Sequence, residues 1–340
     1  MIWKTLYSRL KASLIVMVGI SILIFAVARV MPGDPARIAL GANASAEQVA
    51  ALRADRHLDE PIPVQYWEFV KALSHGDIGK SLFTNRPVST DIAQFLPATL
   101  ELVVVSGLIM ALFGLPIGAI SAHFRGRFID HVGRIVALLG VCTPAFVWGV
   151  ILQLVFGYFW PVFPIEGRLL DATPVPPTVT GFYLLDSLFA GKPATFVDAL
   201  HHLILPAVAL ALGGMGQVAR LTRSNMIEVY GKPYIEMAEA YGFRPWRIAS
   251  RYAFAPAFIP TLTILGLEFA ALLGNAFLVE KVFGWPGLSR YGVDVILRKD
   301  LDAIVGTVLI IAAAFLIMNI VVDILVTLVN PRIRLSSRRH

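Results

Sequence analysis

Residues 303–329 read AIVGTVLIIAAAFLIMNIVVDILVTLV, an apolar run in which Asp323 is the only charged side chain. A helix needs about 20 apolar residues to cross the roughly 30 Å hydrocarbon core of a bilayer, so this stretch is long enough to span one. Comparable runs occur near 12–31, 98–122, 133–160, 202–222 and 258–280. Backbone polar groups in lipid must be satisfied within the segment, which favours helices over open strands. The pattern predicts an all-α integral membrane protein with about six transmembrane helices.

Composition agrees with the runs. The chain of 340 residues is 57% hydrophobic and 15% charged, against about 25% charged in ordinary soluble domains. That leaves too little charge for a polar surface. The first run, Leu14 to Met31, follows Lys4, Arg9 and Lys11 as a signal peptide would, but it exceeds the usual apolar core and Met31-Pro32-Gly33-Asp34 is a poor cleavage site. It is read as a retained first span, from which Arg29 snorkels toward the headgroups. Cys142, the single cysteine, cannot form an internal disulfide and reads as a small hydrophobe. The net charge of +6 sits between runs and at Arg332, Arg334, Arg338 and Arg339, which suits topology rather than nucleic acid.

Lysine and arginine density sets the expected orientation. With the N-terminus inside, the short inside segments are the denser in basic residues, and Asp130, Glu228, Glu236 and Glu239 are their only acids. Both termini are therefore expected in the cytoplasm. The expected organisation is a cytoplasmic start and first span at 1–31, a small extracytoplasmic loop subdomain at 32–97, a core of five spans at 98–330 and a basic tail at 331–340. Gln65, Tyr66, Trp67, Phe69 and Val70 suggest a small packed helix in the 32–97 loop, serving as a cap toward a partner or as a stabilising lid.

The most informative connection is 223–257, expected on the cytoplasmic side, and it contains YIEMAEAYGFRPWRIASRYAFAP from Tyr234. Asn225 to Tyr241 has helical composition, Gly242 is a helix stop that takes a left-handed conformation without a Cβ penalty, and Pro245 suits the first turn of a second helix. Trp246, Arg247, Ile248 and Arg251 give that second helix an amphipathic surface. Such an elbow fits a groove on a soluble partner, or a hairpin resting on headgroups. Within the spans, Glu101, Glu268 and Asp323 are acids whose burial in lipid costs at least about 2.5–3.5 kcal/mol, so they face the bundle interior or a pathway. With Asn275 they are the candidate pathway or interface residues, Glu268 lying deepest.

The elbow resembles the cytoplasmic loop of binding-protein-dependent ABC importer permeases, whose pattern runs Glu-Ala-Ala, three residues, Gly, nine residues, Ile-x-Leu-Pro. Glu236, Ala238 and Gly242 match it; Met237 departs, and Tyr252, Phe254 and Ala255 stand at the Ile, Leu and Pro positions. Those departures resemble the peptide/nickel branch, the dipeptide/oligopeptide permease B-type. So do PGDP (Pro32–Pro35), GDIGKS (Gly76–Ser81), PATLEL (Pro97–Leu102), LEFAALLGNAFLVEKVFGWPGLSR (Leu267–Arg290) and VVDILVTLVNPRIR (Val321–Arg334), in order along the whole chain.

The resemblance implies a type I importer permease fold in the bacterial inner membrane. It also implies a second homologous permease subunit, two ATP-binding subunits and an extracytoplasmic solute-binding protein. Glu236, Met237, Ala238, Glu239, Ala240, Gly242 and Pro245 would form the ATPase-coupling loop. The implied cargo is short peptides, with nickel complexes, glutathione or oligosaccharides as alternatives. The chain is expected to hold no cofactor and to be no enzyme, with ATP and Mg used by the partner subunits.

Gly79-Lys80-Ser81 ends like a phosphate-binding loop, but Ser74 stands where the first glycine belongs, and the segment lies on the wrong side for ATP. The histidines His57, His75, His123, His131, His201, His202 and His340 show no i, i+4 pair with a third ligand nearby, so no fixed metal site is expected. An ion-coupled secondary transporter working through Glu101, Glu268 or Asp323 is the alternative of another class; no inverted repeat supports it.

Overall fold

The computed structural model describes residues 2–30, 33–41, 43–55 and 57–329. Pro32 of the PGDP block and the basic tail 331–340 lie outside them. In chain order the helices are α1 (Ile2–Val30), α2 (Pro35–Leu40), α3 (Ala46–Asp55), α4 (Ile62–Ser74), α5 (Val88–His123), α6 (Phe128–Cys142) and α7 (Ala145–Leu152). They continue as α8 (Tyr183–Phe189), α9 (Pro193–Tyr230), α10 (Pro233–Ala240), α11 (Pro245–Arg247), α12 (Ala255–Val282), α13 (Leu288–Leu297) and α14 (Leu301–Val329). Wider π-helical turns, Gln153–Phe159 and Ile248–Phe254, extend α7 and join α11 to α12. Among the described residues there is no β-strand, only an isolated bridge between Lys80 and Pro87.

Five helices are long and apolar enough to cross a membrane: Arg9–Val30, Val88–His123, Pro193–Tyr230, Pro245–Val282 and Leu301–Ile324. The run expected as one span at 133–160 is instead two helices, Phe128–Cys142 and Ala145–Phe159, bent by 108°. The cause is local. Proline excludes its predecessor from the helical region, and Thr143 is accordingly extended (φ −102°, ψ 124°) before Pro144 opens the next helix.

The chain divides into two compact units, residues 1–99 with 286–316, and residues 100–285 with 317–340. In the first, α1 packs on α4. The Phe25 ring meets Tyr66 edge-on at 5.3 Å and Phe69 at 5.4 Å, while Ser21 Oγ and Tyr66 OH share a hydrogen bond of 2.9 Å. Arg29 does not snorkel. It donates from Nε to Gln65 Oε1 at 2.8 Å, and its guanidinium stacks 3.7 Å over Phe25 with Asp302 at 4.0 Å. The carboxamide, the ring and the carboxylate hold the guanidinium inside the unit rather than at the headgroups, although its Nη1 is buried without a hydrogen-bond partner.

The same unit pins the 76–87 loop to the junction of α13 and α14, and the first turn of α5 to α13. Ser81 Oγ donates to buried Asp300 at 2.6 Å, and Tyr291 OH donates to buried Asp91 at 2.9 Å while its ring stacks on Phe95 at 5.0 Å. Burial and the Asp91 carboxylate push the Tyr291 phenol well above its ordinary pKa.

In the second unit α9 is the central helix, with α6, α7, α8 and α12 packed on it. Lipid tails are as apolar as leucine, so helices in a membrane associate by close packing of small residues. Gly140 and Gly216 provide it here: a Cβ on Gly140 would press on the Leu212 carbonyl, and one on Gly216 on the Ala137 carbonyl.

Candidate functional site

The elbow is built from local chemistry. The chain leaves α9 at Gly231, and Pro233 opens α10, where its missing N–H costs nothing. At the far end Gly242 is left-handed (φ +74°), Gly242 N donates to Glu239 O at 2.8 Å and Phe243 N to Ala238 O at 3.2 Å. This pair of bonds satisfies the last carbonyls of α10 and turns the chain. Arg244 is extended before Pro245, which starts α11, as the sequence predicts.

Packing then sorts the elbow's faces. Ile235 and Ala238 of α10, with Ile248 and Ala253 of the π-helical turn, enter a cluster formed by Ala122, Met226, Val229 and Ala257. Phe243 stacks on Tyr252 at 5.6 Å across the turn, so the aromatic at the expected Ile position closes the elbow on itself. The rest of the elbow is open: Tyr234, Met237 and Tyr241 are exposed, 74% for Tyr241, as is Trp246, whose ring meets His123 of α5 edge-on at 6.4 Å, among exposed Glu236, Glu239, Ala240, Arg244, Arg247 and Arg251. An apolar centre with mixed charges around it has the composition of a docking face.

A second feature lies where the third run breaks. Thr143 and Pro144 line a cavity of about 330 Å³ with Gly213, Gly214 and Gln217 of α9 and Glu268 and Asn275 of α12. Irregular backbone at membrane depth is tolerated where it lines a cavity. Glu268 is half-buried, and among the described residues its carboxylate has no hydrogen bond or ion pair. Asn275 is exposed on the same wall.

The other acids lie elsewhere. Glu101 is buried, takes an ion pair from Arg168 Nη2 and accepts from Leu184 N at 2.8 Å. The Arg168 guanidinium lies 3.6 Å over the Tyr183 ring. Asp323 is partly buried on α14 and has a partner. Ser81 of the Gly-Lys-Ser triplet is committed to Asp300. Among the described residues no group of His, Cys, Asp or Glu is placed to hold a metal ion.

The structure thus brings Glu268 and Asn275 together and keeps Glu101 and Asp323 apart from them. Thr143, Gln217 and the Arg168 partner of Glu101 are additions that the sequence reading lacks. The Thr-Pro pair inside an apolar run was a signal for the break. Arg168 had none, being a loop residue far from Glu101 in sequence.

Residues 114–335 match the model of the binding-protein-dependent transport system inner membrane component, and residues 2–103 match the N-terminal model of the same membrane component. The chain is 41% identical over 332 residues to the "Probable D,D-dipeptide transport system permease protein DdpB" of Escherichia coli K12, covering 97% of each chain. It is 39% identical over 317 residues to the di/tripeptide transport system permease protein DppB of Pseudomonas aeruginosa, covering 93% of this chain and 94% of that one. It is 34% identical over 316 residues to the glutathione transport system permease protein GsiC of Salmonella choleraesuis, with the same coverage. With matches along nearly its whole length and helices long enough to span a bilayer, the chain belongs to the inner membrane components of binding-protein-dependent transport systems, as a multi-pass permease and not an enzyme.

Proposed function

We propose that this permease is one half of the membrane pathway of an ATP-driven importer of short peptides. A second homologous permease pairs with it, two ATP-binding subunits supply the energy, and an extracytoplasmic binding protein delivers the cargo. Both termini and the 223–257 elbow face the cytoplasm. ATP and Mg belong to the partner subunits, and this chain holds neither.

The observation that carries the reading is the elbow's division into an anchored face and an open one. Ile235, Ala238 and Ile248 lock it to α9 and α12, while Tyr234, Met237, Tyr241 and Trp246 are left for a partner. A push on the open face reaches the spans through the anchored one. The peptide assignment rests on the relatives that carry dipeptides and di/tripeptides, with glutathione, itself a peptide, as the neighbouring case. Nickel complexes and oligosaccharides remain alternatives of the same importer class.

The test is uptake in vesicles holding the complete complex. Tyr241→Asp with Trp246→Asp should leave the permease inserted but lose binding-protein-stimulated ATPase activity and peptide uptake together. Full coupling in that variant would sink the elbow's role. The unpaired Glu268 favours one other reading, an ion-coupled carrier, which predicts uptake driven by an ion gradient without ATP.

A further inference from the structure

We infer that Glu268 receives the ammonium end of the transported peptide as it passes through the cavity at the broken helix. This rests on the short-peptide reading above and adds a recognition site within the permease itself.

A carboxylate within a span is costly and by default marks a pathway or a paired contact. Glu268 has no pair among the described residues, whereas Glu101 is paired with Arg168 and Asp130 with Arg223. Its carboxylate opens on the cavity beside Gly214, where a side chain is missing: a Cβ there would lie 3.5 Å from Glu268 Oε2. The cavity is of the size that holds a small organic ligand, about 300–1,000 Å³.

The rest of the wall defines the chemistry. Asn275 follows Glu268 by two turns of α12, about 10 Å along the axis and on the same face. Two or three extended peptide residues reach about 7–10 Å. An ammonium at Glu268 therefore leaves the peptide's own amides and carboxylate near the Asn275 carboxamide, while Gln217, one turn of α9 past Gly214, keeps its Oε1 on Arg220 Nη2 at 2.6 Å. The lining also includes Leu210, Leu272, Phe277 and Leu278, which offer no fixed partner to any one side chain. The site reads the terminus that all peptides share and ignores what varies.

The complete complex in proteoliposomes is tested with alanyl-alanine, in L,L and D,D forms, and with the N-acetyl derivatives, each loaded on the binding protein to equal occupancy. In the wild type the free amine should be taken up severalfold faster than the acetylated form. Glu268→Gln should slow the free amine about tenfold and abolish the difference between the two, with ATPase stimulation within twofold of wild type. Glu268→Asp should restore the preference. Wild-type uptake and preference in Glu268→Gln overturn the inference. So does an equal loss in Glu268→Asp, or failure of Glu268→Gln to assemble with its partners, since either marks a structural carboxylate. A wild-type complex that imports no free dipeptide overturns the short-peptide reading instead.

Discussion

Arg223 grips Asp130 with both arms of its guanidinium, Nε at 2.6 Å from Oδ1 and Nη2 at 2.9 Å from Oδ2, tying α9 to the first turn of α6. Asp130 is fully buried and also accepts from Gly126 N at 2.9 Å. The fork geometry suits a carboxylate in a way lysine cannot reproduce. Arg223→Met leaves a buried carboxylate short of a partner and is expected to cost about 1–3 kcal/mol. Thermal unfolding in detergent checks it. Arg223→Lys should recover only part of the loss, and full recovery would show that charge without geometry suffices.

The α6–α9 contact gives a second test. Gly216 brings α9 against the Ala137 carbonyl, backbone that has no side-chain freedom with which to yield. Gly216→Ala is expected to destabilise the second unit by about 1–3 kcal/mol through overpacking, and Gly216→Leu by more. Gly274, where a Cβ would meet nothing within 4 Å, serves as the comparison: Gly274→Ala should be close to neutral in the same melt.

At Gly242 conformation, rather than space, is limiting. Its φ is +74°, and a Cβ would meet nothing within 4 Å. Asparagine tolerates the left-handed region and β-branched residues do not. Gly242→Asn should keep most uptake, Gly242→Val should lose much of it, and Gly242→Pro, which cannot take the positive φ, should abolish it with expression intact. Normal uptake in Gly242→Pro would falsify the elbow's role as the coupling segment.

How much of this was legible in advance follows from how local each cause is. The spans were readable because a bilayer imposes a length on apolar runs, and Gly242 and Pro245 because a left-handed stop and a helix start depend on single residues. The Thr143-Pro144 break was missed: the run's apolar length argues for one uninterrupted helix, and only the proline within it marks the bend. The Glu101–Arg168 pair and the burial of Arg29 against Phe25 and Gln65 depend on which distant segments meet. No window of sequence carries that information.

Asp186, in α8 outside the spans, supplies the pH prediction. Burial opposes its charge, but Thr180 N at 2.8 Å, Thr180 Oγ1 at 2.7 Å and Gly181 N at 2.9 Å outweigh it and hold the carboxyl below its ordinary pKa. A depressed folded pKa means that its stabilisation is complete above the unfolded value and is lost as pH falls through the folded one. Amide exchange in residues 179–186 should therefore stay protected from neutrality down to mildly acid pH and rise below the ordinary carboxylate range. Asp186→Asn should show the faster exchange already at neutral pH.

The π-helical turn at Ile248–Phe254 carries Trp246 and Glu268 on one continuous helix, 22 residues apart and about 33 Å of rod. A crank needs no relay. Under the proposed function, a twist applied at the tryptophan end would turn the carboxylate with it, putting coupling and cargo contact on one stroke. Softening the shaft between them, as with two glycines near Thr263, would let one end turn while the other slips, giving ATP consumption with no cargo moved.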